Sequence, residues 1–194
     1  MEHDLITARY LSDNERYADL LNGYGFGGAQ IISAEDLSEL DSCTGLWQKK
    51  RQTGATDKGK RLLHGQVAFN HKGRKQKAKY RDLIRKVAFG VNFAVIGIEN
   101  QEEVHYLMPI RVMSYDAAEY ERQAAVIKKK VRKMKGVKKA EFLSGFLKES
   151  RLQPCVTLVL YYGKDWDGAK NLLELLDLTG IPKELQELVN DYPI

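Results

Sequence analysis

This sequence of 194 residues has few cysteines and no long apolar run. Its two cysteines, Cys43 and Cys155, are too far apart to match a metal-ligand spacing, and they indicate no disulfide framework. The longest apolar stretch runs from Cys155 to Tyr162, which is too short to span a bilayer. The first residues are acidic and no apolar run follows them, which argues against a secretion signal. These absences predict a soluble, cytoplasmic protein.

Positive charge is concentrated in two parts of the chain. Residues 48–86 hold fourteen basic side chains against two acidic ones, and residues 122–139 hold nine basic side chains and no acidic one. The chain as a whole carries a formal net charge of only +5, so the remainder is acidic. Such segregation favours a polyanion such as nucleic acid as the partner, although solvated basic surfaces would look the same in each block taken alone. A membrane is not expected because no apolar insertion face accompanies the charge.

The order of predicted elements is α–β–β–β–α–β–α, which indicates an α/β fold. Ser12 and Glu15 form a predicted capping box that opens a helix ending near Phe26. Residues 29–32 are predicted as a short strand, and Ser33 as the cap of one helical turn. Residues 48–79 are polar and basic with little periodicity, so we interpret them as a long loop insertion.

The second half contains the stronger patterns. Two apolar runs around Gly90-Val91 predict a β-hairpin, and residues 156–162 predict a third buried strand. Between them, a helix is predicted from about Glu103. Shorter helices are predicted at 168–176 and 182–190. The long helix should bury one apolar stripe, made of Ile110, Met113, Ala117, Tyr120, Ala124, Ile127, Val131 and Met134.

The predicted register of the hairpin brings two acidic residues together. With Gly90-Val91 as the turn, Phe89 opposes Asn92 and Asp82 opposes Glu99 on one face of the sheet. Gln101 joins that face because side chains two apart in a strand point the same way. Slipping the turn by one residue keeps all three together, whereas a three-residue loop would separate them.

Two facing carboxylates must be protonated, paired with a cation or bridged by a metal ion. Oxygen ligands suit Mg²⁺ or Mn²⁺ better than zinc. The simpler alternative is an ion pair in which Lys86, on the same face, or Arg81 neutralises the acids. Spacing alone does not decide between the metal site and the ion pair.

A resemblance favours the metal site. Asp82 followed by Glu99-Asn100-Gln101 at the end of an apolar strand resembles the active-site pattern of the PD-(D/E)XK nuclease superfamily. More narrowly, the chain resembles the Rpn family of recombination-promoting nucleases, often labelled transposases. The matching segments are 14–22, 81–84, 98–101, 108–111, Tyr115-Asp116, Tyr120, 154–163 and Trp166.

The resemblance implies a restriction-endonuclease-like fold, with a mixed central sheet flanked by helices, in one domain over residues 1–194. It implies Mg²⁺ (or Mn²⁺) held by Asp82, Glu99 and the backbone carbonyl of Asn100, and hydrolysis of DNA phosphodiester bonds. Most of the superfamily has lysine where this chain has Gln101. A glutamine can orient a water but cannot accept its proton, which leaves the general base unidentified. Relatives commonly continue past the last residues, so we expect a C-terminally truncated version.

Other residues are candidates for supporting roles. Glu15 and Asp19 are four apart on one helix face and could add a carboxylate, or could simply cap the helix. Arg111 and Tyr115 could contact a phosphate or base, or could lie at the edge of the core. The expected phosphate contacts, which position DNA without reading its sequence, are Lys72, Arg74, Lys75, Lys77, Lys79, Lys128, Lys129, Lys130, Arg132 and Lys133.

The sequence therefore predicts a Mg²⁺-dependent DNA endonuclease associated with recombination or mobile elements. Its expected partner is DNA and not a membrane. The sequence does not decide whether the protein is a monomer or a homodimer. The alternative is a non-catalytic nucleic-acid-binding protein on a degenerate nuclease fold. A third reading is an interaction protein whose lysine-rich loop binds an acidic protein.

Overall fold

The structure is a computed structural model, and it describes residues 2–40, 43–44, 67–69, 75–77, 79–80, 83–89 and 92–194. The helices are α1 (Glu2–Tyr10), α2 (Asn14–Phe26), α3 (Met108–Val131), α4 (Lys139–Ser144) and α5 (Lys183–Gln186). The strands are β1 (Leu37–Glu39), β2 (Cys43–Thr44), β3 (Val67–Phe69), β4 (Lys75–Lys77), β5 (Lys79–Tyr80), β6 (Leu83–Phe89), β7 (Asn92–Gln101) and β8 (Cys155–Tyr161).

A four-stranded mixed sheet organises these elements. Its strand order is β1-β6-β7-β8, with β8 parallel to β7 and the other neighbours antiparallel. Helices flank the sheet, so the protein has the mixed α/β architecture that the sequence predicts. The parallel pair needs a crossover, which α3 and α4 supply between β7 and β8.

The β6–β7 hairpin has the predicted register. Phe89 pairs with Asn92 at one end and Leu83 pairs with Ile98 at the other. The two-residue spacing from Phe89 to Asn92 was inferred from the glycine at position 90 and the β-branched runs beside it. Asp82 and Gly90-Val91 lie outside the described residues.

The two faces of the sheet have different coverings. On one face, Leu11, Tyr17, Ala18 and Leu21 from the N-terminal helices and their link form a core with Ile32, Leu37, Val87 and Ile98. On the other face, Ile84, Val95 and Cys155 pack with Tyr120 of α3. Alternation along β7 therefore sends Ile98 to the α2 face and Val95 to the α3 face.

The start of α2 differs from the prediction by one residue. Asp13, not Ser12, is the N-cap, and its carboxylate accepts hydrogen bonds from the backbone N–H groups of Glu15 (3.0 Å) and Arg16 (3.2 Å). Ser12 instead donates to the carbonyl of Arg9 at 2.7 Å, because it lies two residues after the end of α1, a helix that was not predicted from the sequence. The predicted end is confirmed, since Gly27 has the left-handed conformation with φ 59°.

The link between α2 and the sheet is also corrected. Residues 29–32 are not a strand, because the buried side chain of Asn22 forms hydrogen bonds with the backbone of Ile31 and Ile32. Its amide oxygen accepts from the N–H groups of Ile31 (3.2 Å) and Ile32 (2.9 Å). The predicted turn after Ser33 is confirmed as a 3-10 turn at Ala34–Asp36. The strand lies just beyond it, as β1.

The buried face of α3 matches the predicted apolar stripe only in part, at Val131, which is buried, and at Tyr120, which packs against the core. Ile110 and Met134 are exposed, at 39% and 49%, and Ala117 is exposed as well. The buried positions are Met108, Pro109, Val112, Tyr115, Asp116, Glu119, Gln123 and Val131. The prediction was wrong because polar residues were assigned to solvent, whereas Asp116, Glu119 and Gln123 have buried hydrogen-bond partners.

The remaining elements follow the predictions in part. Within the predicted basic loop, β3 pairs with β4, and β5 pairs with β2, so the described residues there are short strands. Strand β8 is confirmed within one residue at each end. The predicted helix at 168–176 is wrong, because that segment holds only a 3-10 turn at Leu173–Leu175. The helix predicted at 182–190 is observed only over Lys183–Gln186, and α4 was not predicted. Among the described residues, no helix has the length and apolarity needed to cross a membrane.

Candidate functional site

Glu99 is a buried carboxylate near the end of the central strand β7. Its side chain is 1% exposed, and alternation places it on the α3 face together with Val95 and Gly97. Burying an ionised carboxylate is costly unless a cation or several donors accompany it. The neighbours of Glu99 on this face therefore determine what the site can do.

Two predicted side chains meet at Glu99. The guanidinium of Arg111, in the first turn of α3, forms an ion pair with Glu99 Oε1. The side-chain amide of Gln101 donates to the same oxygen at 3.2 Å and to the backbone carbonyl of Asn100 at 2.7 Å. Gln101 therefore contacts an oxygen of each of the two described groups that were predicted to bind a metal ion, the Glu99 carboxylate and the Asn100 carbonyl.

Tyr115 fixes the orientation of Arg111. It lies one helical turn further along α3, and its hydroxyl accepts a hydrogen bond from Arg111 Nε at 2.9 Å. The guanidinium carbon also lies 5.7 Å from the centre of the Tyr115 ring. Arg111 is one-third exposed while Tyr115 is buried, so this cation joins the buried carboxylate to the protein surface.

Arg111 was not among the cations considered for neutralising the acids. The sequence reading named Lys86 and Arg81 because they lie in the hairpin, whereas the described cation on Glu99 comes from a helix. The positive charge of Arg111 also reaches His105 in the β7–α3 connection. The pKa of His105 is lowered, first by burial and then by Arg111, which favours the neutral imidazole.

Several other predicted residues do not join this cluster. Asp82 lies outside the described residues. Glu15 and Asp19 are exposed on α2. Among the described residues, no three His, Cys, Asp or Glu side chains are grouped so as to hold a metal ion, so neither acid completes such a group with Glu99.

The predicted DNA contacts are described only in part. The side chains at the end of α3 are all exposed, as phosphate contacts would have to be: Lys128, Lys129, Lys130, Arg132 and Lys133. Lys72 and Arg74 lie outside the described residues. Lys75 and Lys77 lie in β4 and Lys79 lies in β5, where only the backbone is described.

Asp116 is a second buried acid, and the sequence predicted no role for it. Its carboxylate accepts hydrogen bonds from the hydroxyls of Thr157 (2.6 Å) and Tyr192 (2.7 Å), and the thiol of Cys155 lies 3.4 Å away. Burial raises the pKa of Tyr192, and the hydrogen bond to Asp116 raises it further. This cluster ties α3 to β8 and to the last residues of the chain.

Glu119 is the third buried acid of this face. Arg122 binds it through two nitrogens, at 2.7 and 2.6 Å, and Gln123 donates to it at 3.1 Å. The amide of Gln123 also bonds both backbone groups of Gln153, at 3.2 and 2.7 Å, just before β8. These contacts position the sheet against α3. The ion pair could have been predicted from the sequence, because Glu119 and Arg122 are three residues apart and therefore neighbours on a helix.

The oxygen atoms that the structure describes at Glu99 and Asn100 are suitable ligands for a hard divalent cation. A carboxylate and a backbone carbonyl are oxygen ligands of the kind that Mg²⁺ takes, usually together with water and substrate phosphate. Arg111 and Gln101 contact these oxygens in the structure, so both would have to rearrange around a metal ion.

Comparison of the chain with family models, with curated proteins and with solved structures gives no match. The function is therefore inferred from the residues themselves. What they offer is a buried carboxylate at the end of a central strand, an amide beside it and a partly exposed arginine that leads to the surface.

Proposed function

We propose that this protein is a metal-dependent DNA endonuclease with a restriction-endonuclease-like fold, and that Glu99 is the centre of its active site. The observation that carries the proposal is the group of Glu99, Gln101 and Arg111 at the end of β7. The hairpin register supports it as well, because Leu83 pairs with Ile98, and Asp82 and Glu99 are the residues next to this pair in the sequence.

In this proposal Asp82, Glu99 and the backbone carbonyl of Asn100 hold Mg²⁺ or Mn²⁺. The bound metal would polarise the scissile phosphate and lower the pKa of a water molecule. Gln101 orients that water through its amide, which already donates to Glu99 at 3.2 Å. Because glutamine is not a base at neutral pH, Gln101 would orient the water without accepting its proton.

Arg111 serves as the phosphate contact. Its side chain is one-third exposed, and its Nε donates a hydrogen bond to the Tyr115 hydroxyl. A guanidinium presents parallel N–H donors that match two phosphate oxygens. The exposed basic side chains at the other end of α3, about 25 Å further along the helix, are separate phosphate contacts that hold the DNA backbone without reading its sequence.

A second function is favoured by one specific contact. Glu99 Oε1 already pairs with Arg111, so the buried charge has a cation without any metal ion. A protein in which this ion pair is permanent would bind nucleic acid through its lysines and would not cleave it. This is the non-catalytic alternative, and it predicts salt-dependent DNA binding that is insensitive to Mg²⁺.

Plasmid cleavage in the presence of Mg²⁺ separates the two functions. For the nuclease, Glu99→Gln and Asp82→Asn should each reduce cleavage by about a hundred-fold or more, because metal ligation contributes several kcal/mol to transition-state stabilisation. Glu103→Gln is the matched control, since Glu103 is an exposed carboxylate in the next loop. Equal cleavage by all three variants would mean that the activity does not come from this site.

A further inference from the structure

The turn after α3 and helix α4 form an exposed surface that is both basic and apolar. Phe142 and Leu143 are 53% and 70% exposed. Lys139 precedes them by three and four residues on the same helix, which makes it their neighbour on the helix surface. Lys135 and Lys138 lie in the preceding turn and are exposed as well. We call these five residues the basic surface.

The basic surface is held against the rest of the protein. Gly145 ends α4 in the left-handed conformation with φ 70°, and its N–H donates to the carbonyl of Glu141 at 2.8 Å. A side chain at position 145 would collide with Lys128 of α3, so α4 lies against the last turn of that helix. The carboxylate of Glu141 is bound to the N–H of Lys148 at 2.9 Å, and it is the one acid between residues 132 and 148.

A second exposed apolar surface carries the opposite charge. Ile181, Leu185 and Leu188 are 42%, 54% and 75% exposed; Ile181 lies two residues before α5, Leu185 lies within it, and Leu188 lies in the turn after it. Glu184 and Glu187 are exposed between them. We call these five residues the acidic surface.

The acidic surface also belongs to the folded structure. The chain after it returns to residues 172–173, where Leu172 donates its N–H to the carbonyl of Tyr192 and Leu173 donates its N–H to Asp191, both at 3.1 Å. The hydroxyl of Tyr192 then reaches buried Asp116 at 2.7 Å. A fixed apolar surface is better suited to specific docking than a flexible one, because little conformational entropy is lost on binding.

We propose that the acidic surface of one copy of this chain docks on the basic surface of a second copy. Each surface offers an apolar pair or trio beside exposed charges that are mostly of one sign, namely three lysines on the basic surface and two glutamates, with Lys183 beside them, on the acidic surface. Within one chain both surfaces are exposed, so they do not cover each other. Docking between copies would remove both sets of apolar side chains from water and bring lysines next to glutamates.

The proposed contact is head-to-tail, which has a consequence for assembly. Each copy keeps one free acidic and one free basic surface after its first contact, so further copies can add to either end. The contact is small and its charges lie at the rim, so the association should be weak, concentration-dependent and weaker at high salt.

Charge reversal on one surface at a time provides the test. The first variant is Lys135→Glu/Lys138→Glu/Lys139→Glu, and the second is Glu184→Lys/Glu187→Lys. All five side chains are exposed, and none belongs to the proposed nuclease site or to its DNA contacts. Sedimentation velocity over a concentration series measures the wild type, each variant alone and their equimolar mixture.

We expect the wild type to form open-ended oligomers, each variant alone to be monomeric, and the mixture to form a one-to-one dimer. The mixture stops at the dimer because it contains one intact acidic and one intact basic surface per pair. A wild type that stays monomeric at every concentration, a variant that still associates alone, or a mixture without the dimer would each overturn the proposal. DNA cleavage is not part of the readout, so this result is independent of the nuclease proposal.

Discussion

Arg111 from the first turn of α3 pairs with Glu99, a side chain that is 1% exposed near the end of β7. This contact joins the central strand to the helix that follows it. It also means that the negative charge most important to the proposed chemistry has a protein cation beside it. Metal binding, phosphate binding and stability are therefore coupled at one pair of residues.

Removing Arg111 should destabilise the protein. In Arg111→Met the carboxylate of Glu99 stays buried without this cation, and we expect the free energy of unfolding to fall by about 3 kcal/mol. Urea denaturation at neutral pH measures it. The double variant Glu99→Gln/Arg111→Met removes the buried charge as well and should recover part of the loss. Equal stability of the wild type and Arg111→Met would contradict the importance of the pair.

The contact between Tyr192 and Asp116 predicts a loss of stability at alkaline pH. The pKa of Tyr192 is raised in the fold by burial and by the hydrogen bond to Asp116, so the folded state keeps the phenolic proton when the unfolded state has lost it. The contribution to stability is complete below pH 10, the usual tyrosine pKa, and falls as the pH rises above it.

Tyr192→Phe tests this prediction. It should lower the free energy of unfolding by about 1–2 kcal/mol at neutral pH, because the hydrogen bond to Asp116 is lost. Above pH 10 its stability should decline less steeply than that of the wild type. Parallel pH dependences for the two proteins would show that Tyr192 does not titrate in this way.

Gly163 is required where the chain leaves β8. A Cβ at this position would overlap the Tyr161 hydroxyl and lie 2.7 Å from the carbonyl oxygen of Glu102. We expect Gly163→Ala to destabilise the protein by about 1–3 kcal/mol through overpacking. Gly25→Ala is the control, because Gly25 is in α2 with nothing within 4 Å, and there alanine should stabilise by about 0.5–1 kcal/mol. Thermal denaturation of both variants compares them directly, and similar shifts would be inconsistent with the geometry.

The corrected start of α2 has a simple test. Asp13→Ala removes the carboxylate that caps two N–H groups and should cost about 1 kcal/mol. Ser12→Ala removes only a hydroxyl bonded to the Arg9 carbonyl on the surface, so it should change stability much less. If chemical denaturation shows the larger loss for Ser12→Ala, the capping assignment is wrong.

The hairpin was the element that sequence reasoning predicted best. Its strands are largely β-branched and apolar, and a glycine between them in the sequence leaves few choices of register, so Leu83 could be matched with Ile98. Helix α3 was predicted to exist, but most of its buried face was predicted wrongly. Hydrophobicity cannot indicate that Asp116, Glu119 and Gln123 are buried, because their burial depends on partners such as Thr157, Arg122 and Gln153 that are distant or outside an apolar pattern.

The candidate site was also predicted only in part. Glu99 and Gln101 were placed on one face by the alternation of a single strand, which is a local property. The pairing of Arg111 with Glu99 depends on how the start of α3 is set against β7, and the sequence contains no local pattern for that angle. Arg111 and Tyr115 were nevertheless recognised as a unit, because their spacing of four makes them neighbours on any helix.

The most direct test of the proposed active site is to locate manganese in crystals soaked with Mn²⁺. We predict an anomalous peak at bonding distance from the Glu99 carboxylate and the Asn100 carbonyl, with Arg111 displaced from Oε1, and no such peak in Glu99→Gln crystals. A structure in which Arg111 still pairs with Glu99 and no manganese lies beside it would contradict the metal-dependent nuclease.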